Sequence, residues 1–156
     1  MKAILFAVLA GLCWGVGEFL TKSVLRTGRI GPFSVLLVRG VMELPTILLA
    51  YWVAVGWLRS EPAGWWRLEG PLVARLIIGP GVLAGFAGVL FFYLGLKFGP
   101  ITTVKPIAFA LGPAVGAALA VAFLGEQLTV AKAAGLVLVL AGVVLVAGNW
   151  GPAPAP

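Results

Sequence analysis

Ile101 to Ala147 reads ITTVKPIAFALGPAVGAALAVAFL, then GEQLT, then VAKAAGLVLVLAGVVLVA: two apolar runs on either side of a short polar interruption. At ~1.5 Å per residue the first run, about 24 residues as a helix, crosses a hydrocarbon layer of ~30 Å. A connection as short as Gly125-Glu126-Gln127-Leu128-Thr129 forces the two helices to lie antiparallel. The stretch is therefore a membrane hairpin with a polar tip, and Thr129 is placed to cap the start of its second helix.

Outward from the hairpin the composition stays that of a bilayer protein. The chain has 156 residues, of which 62% are hydrophobic and 10% charged, with a mean hydropathy of +1.12. Soluble domains are about 45–50% apolar and ~25% charged. The length accommodates about five spanning helices and leaves no room for a soluble nucleotide-binding domain. The net charge of +6 comes mostly from residues at helix ends, where Lys and Arg meet lipid head groups; it is not read as a nucleic-acid surface. With no His and no Asp, and Cys13 as the single cysteine, the chain offers no acid/base pair, no metal set, no intrachain disulfide and no sign of a cofactor. An enzyme is not expected.

The architecture expected is an all-α integral membrane domain of five transmembrane helices over residues 1–149, followed by a Pro/Ala tail over 150–156. Helix 1 runs from Ala3 to Leu25; it continues through Trp14-Gly15 with no cleavage site and is read as a permanent span rather than a signal peptide. Helix 2 starts at Pro32, suited to a first turn, and reaches Trp57. Leu58 to Leu72, with Arg59, Glu61, Trp65, Trp66, Arg67 and Glu69, reads as an interfacial loop. Helix 3 covers Val73 to Phe98, and Gly79-Pro80-Gly81 is expected to bend or break it. Helix 4 is Ile101 to Leu124, with Pro106 and Pro113 as further weak points, and helix 5 is Val130 to Gly148. Glu126, in the tip, is assigned a structural role.

Charges inside these spans carry the functional reading. They are Glu18 in helix 1, Arg39 and Glu43 in helix 2, and Lys105 in helix 4. A charge facing lipid at mid-bilayer costs roughly 2.5–3.5 kcal/mol on insertion scales, so such residues face a cavity or a partner. Glu18 lies about 12 Å below the level of Arg26, and Arg39 about 10 Å below Pro32 at the same interface. Lys105, roughly 8 Å beyond the turn at Lys97 to Pro100, falls in the same half. Glu43 shares a face with Arg39 by the four-residue spacing, as Trp14 does with Glu18 and Lys22. A ring one turn from a buried carboxylate is a seat for an organic cation. The alternative is structural: Glu18 pairs with Arg39 or Lys22, and Glu43 with Lys105, to hold helices in register. Lys22, Lys97 and Lys132 read as snorkelling end residues.

Five spans put the chain ends on opposite sides. Lys2, Arg59, Arg67, Arg75 and Lys132 then face Lys22, Arg26, Arg29 and Lys97 across the membrane, an almost even balance where a Lys/Arg excess normally fixes orientation. A protein of this kind can insert both ways and pair antiparallel with a second copy, giving the inverted repeat of many secondary transporters.

Taken together, Trp14-Gly15 with Phe19 and Lys22, Arg39, Tyr93-Leu94-Gly95-Leu96, Pro113, Leu124-Gly125-Glu126-Gln127-Leu128-Thr129 and the Gly135 to Gly142 run resemble a single EamA-type unit of the drug/metabolite transporter superfamily. The resemblance implies a small-metabolite permease or exporter of a bacterial or archaeal inner membrane. Because two-unit members have ten helices, it also implies a partner for this five-helix half: a second copy, possibly antiparallel, or a paired subunit. The sequence departs from the usual pattern at Glu18, Glu43 and Lys105, and Glu18 is similar in position to the first-helix glutamate of small multidrug resistance exporters. The expected function is alternating-access transport of a small polar metabolite, with a cavity lined by Trp14, Glu18, Arg39, Glu43, Tyr93 and Lys105. Two other readings stay open: a proton-coupled organic-cation exporter using Glu18, and a non-transporting subunit such as half of a lipid flippase.

Overall fold

In the computed structural model residues 2–148 are described, and all their regular structure is helical. Five helices are long and apolar enough to cross a membrane: α1 (Lys2–Leu25), α2 (Pro32–Trp57), α3 (Gly70–Phe98), α4 (Ile101–Leu124) and α5 (Val130–Ala147). The expected Pro/Ala tail lies outside the described residues. Large apolar side chains point outward along every span, as with Ile4 at 71%, Phe98 at 81% and Val130 at 87% exposed. A water-soluble fold would bury such a surface; a bilayer solvates it, which leaves packing and polar contacts to hold helices together. The chain divides into two units, Met1–Lys97 and Phe98–Pro156.

In the first unit α1 closes through its own backbone, with the Arg26 amide donating to Lys22 O at 2.9 Å and Thr27 Oγ1 donating to Val24 O at 2.7 Å. Pro32 opens α2 at its first turn, as its fixed φ and missing N–H favour. Inside α2, Pro45 deprives the Val41 carbonyl of its usual donor. One residue on, the Thr46 hydroxyl donates to Met42 O at 2.9 Å. The helix ends in a wide π-turn over Trp52–Trp57, closed by the Leu58 amide on Val53 O at 2.8 Å. In the connection that follows, Trp65 and Trp66 meet edge to face at 5.9 Å.

α3 begins at Gly70, a few residues before the expected Val73, with Pro71 in its first turn. The expected bend or break at Gly79-Pro80-Gly81 takes another form: the chain stays helical and widens to π geometry over Ile77–Gly88. A wider turn moves the proline ring away from the carbonyl it would strike in an α-helix. The price is close approach of the backbone at the far side, where a Cβ on Gly85 would stand 2.6 Å from Pro80 O. Gly85 is thus the partner of Pro80.

In the second unit α4 and α5 pack on each other, and the short connection makes them the antiparallel hairpin read from the sequence. α4 runs unbroken through Pro106 and Pro113. It ends at Gly125, whose φ of +67° is the left-handed conformation open to glycine. The Gly125 and Glu126 amides both return to Ala120 O, the latter at 3.2 Å, and so supply donors to the last turn. Thr129 caps α5 as expected, its Oγ1 accepting from the Lys132 amide at 3.3 Å.

Candidate functional site

The four-residue spacing of Arg39 and Glu43 is realised as an ion pair within α2, Arg39 Nε to Glu43 Oε1 at 2.5 Å. Their side chains remain 36% and 47% exposed, so the pair stands on the wall of the helix, not sealed inside it. From α3 the phenol of Tyr93, a residue only 6% exposed, lies beside the same guanidinium, and Phe92 packs beside it at 6.1 Å. A charge-assisted pair on α2 with a phenol from α3 beside it brings polar groups of two spans together.

Below the pair, Met42, Thr46 and Ile47 complete an open hollow of about 550 Å³ on α2, with Arg39 and Glu43 at its polar end. One wall therefore offers a cation, an anion and a hydroxyl above an apolar floor, and Pro45 weakens the helix at this level. Pro45 was absent from the hinge residues expected from sequence; a proline within an otherwise apolar run was the signal available.

α1 joins the cluster by a route the sequence reading assigned otherwise. Lys22 is not a snorkelling end residue: its Nζ reaches into the protein and donates to Leu96 O on α3 at 2.5 Å. Leu96 is fully buried and one helical turn from Tyr93. The lysine thus supplies a donor to a carbonyl in the last turn of α3, which lacks an intrahelical partner. One turn back on α1, Glu18 is half-buried and its Oε2 is shielded from solvent. Trp14, a turn further, is 53% exposed.

Of the six residues expected to line one cavity, Arg39, Glu43 and Tyr93 are brought into direct contact. Glu18 stands on the helix that Lys22 fastens beside them. Lys105 belongs to the second unit, where its ammonium lies over the Phe109 ring at 5.2 Å, one turn along α4. Among the described residues no group of His, Cys, Asp or Glu has metal-ligand geometry.

A chain of five apolar spans, with an ion pair and a phenol meeting inside the membrane-crossing region, has the build of a membrane transporter. Residues 1–148 match the EamA-like transporter family. The chain belongs to that family. The match spans all five helices and both units. An uncharacterized protein of Methanocaldococcus jannaschii is 27% identical over 143 residues, covering 92% of this chain and 94% of the relative. No solved structure matches the chain. Membership makes it an integral membrane protein of the drug/metabolite transporter superfamily, whose members carry solutes and do not catalyse reactions on them.

Proposed function

We propose that this EamA family member is a secondary transporter that exports or admits a small polar metabolite by alternating access, as a dimer of five-helix units in a bacterial or archaeal inner membrane. The observation that carries this reading is the Arg39–Glu43 pair inside the α2 span, held against the buried Tyr93 of α3. Charged residues inside a span are rare, and a pair of them facing an open hollow commonly marks a solute pathway. A substrate bearing a charged group competes for one member of the pair and frees the other, which alters the link between α2 and α3. Pro45 and the π-turns of α2 and α3 give those spans places to yield as the cavity changes sides.

Uptake by proteoliposomes loaded with candidate metabolites tests the reading. Flux that is saturable, requires the protein and is lost in Glu43→Gln and Tyr93→Phe is expected. Saturable flux that is unchanged in both variants would mean that the pair takes no part.

The second reading, a proton-coupled organic-cation exporter, is favoured by one observation, the shielded Oε2 of Glu18 one turn from Trp14. Acidic side chains inside spanning helices are a recurrent element of coupled transporters. Loss of pH-driven cation flux in Glu18→Gln, with Arg39→Ala still active, would favour it over the first.

A further inference from the structure

The hairpin of the second unit contains a cleft that the transport reading does not use. Its floor is formed by Pro113, Ala117 and Val121 of α4 with Gly135, Leu136 and Val139 of α5, and its volume is about 450 Å³. Glu126, Gln127 and Lys132 stand at its mouth, in the tip and first turn of α5. We propose that this cleft is a lipid site selective for a phospholipid with a primary-ammonium headgroup, such as phosphatidylethanolamine.

Three features of the cleft carry the inference. Along α4, Pro113 lies about 16 Å from the helix end, so the apolar floor descends through one leaflet of a ~30 Å hydrocarbon layer and stops. An acyl chain fits that depth, whereas a helix of a second copy would continue across the whole layer. The mouth carries opposite charges, and among the described residues neither Glu126 nor Lys132 is engaged in an ion pair. Lys132 stands in the first turn of α5, where the helix N-terminus also favours an anion, so the two together suit the phosphodiester. The Glu126 carboxylate, one connection away, suits an ammonium that can donate hydrogen bonds to it. A quaternary choline cannot donate, and an uncharged glycerol headgroup leaves Glu126 unmatched. Finally, Gly135 and Ala117 present little side chain, and a Cβ on Gly135 would meet nothing within 4 Å, so the floor is open at that level.

Native mass spectrometry of the full chain, released from bilayers with equal parts phosphatidylethanolamine, phosphatidylcholine and phosphatidylglycerol, tests the assignment. Wild type is expected to retain the ethanolamine lipid about ten- to a hundredfold over the others, the range of one charge-assisted hydrogen bond. Glu126→Gln is expected to bring its retention down to that of the choline lipid, and Lys132→Gln to lower both. Ala117→Phe, which fills the groove, is expected to remove retention of all three while helical circular dichroism is unchanged. Equal retention of the three lipids by wild type would overturn the proposal, as would a preference that survives Glu126→Gln. A photoreactive residue at position 117 gives a second decision: lipid adducts support the site, and cross-linked protein dimers replace the lipid by a second copy. None of these readouts depends on transport, so the site stands or falls separately from the proposed activity.

Discussion

Exchanging Glu43 for Gln leaves the shape of α2 unchanged and takes the anion from Arg39. The pair stands at 2.5 Å with both side chains roughly four-tenths exposed, about 10 Å below the level of Pro32. An arginine at the centre of a span costs about 2.5–3.5 kcal/mol on insertion scales. Off-centre, partly exposed and still beside Tyr93, Arg39 without its partner should cost about 1–3 kcal/mol. Arg39→Leu, which strands the carboxylate instead, should cost a similar amount. The double variant Arg39→Leu/Glu43→Leu removes both charges and places two helix-forming apolar residues on a membrane helix, so stability should return to within about 1 kcal/mol of wild type. Its transport should not return. Reversible unfolding in bicelles gives the stabilities, and substrate flux in proteoliposomes gives the activity of the same four proteins. A double variant that is stable and carries substrate at the wild-type rate would refute the reasoning, because the pair would then be a staple within one helix. A loss below about 0.5 kcal/mol in both single variants would refute the energetic half of it.

Other outcomes follow from local geometry. Gly85→Ala should destabilise α3 by about 1–3 kcal/mol through overpacking, because the new methyl would meet Pro80 O at 2.6 Å; adding Pro80→Ala should recover most of the loss by letting the turn return to α geometry, and the same unfolding assay reads both. Lys22→Met keeps the length of the stem and removes the donor to Leu96 O; a loss of about 1–3 kcal/mol is expected, with faster amide exchange in the last turn of α3. Thr129→Ala should cost about 1 kcal/mol by uncapping α5, with faster exchange confined to its first turn.

Sequence alone determined the five spans, the membrane hairpin and the cap at Thr129. Run length, turn residues and hydroxyl caps act over a few residues, so they are written in the order of the chain. That Arg39 and Glu43 share a face was nearly as legible, since a spacing of four on a helix sets two side chains on one side; the expected partner of Glu43 was Lys105, however, and the structure closes Glu43 on Arg39 of its own helix instead. What became of Pro80 was not legible, because a proline in an apolar helix can kink it or widen it, and the choice depends on whether the backbone five residues on in the same helix can approach its carbonyl. Gly85 allows that approach. Lys22 was misread for a related reason: a lysine near a helix end can reach head groups or a neighbouring helix, and only the position of Leu96 on α3 selects the second. The contact of Tyr93 with Arg39 and the cleft floored by Pro113 and Gly135 likewise join residues far apart in the chain. In a bilayer, where apolar surface drives no association between helices, such meetings depend on small residues and polar bonds between elements, and their geometry exists only once the helices have packed.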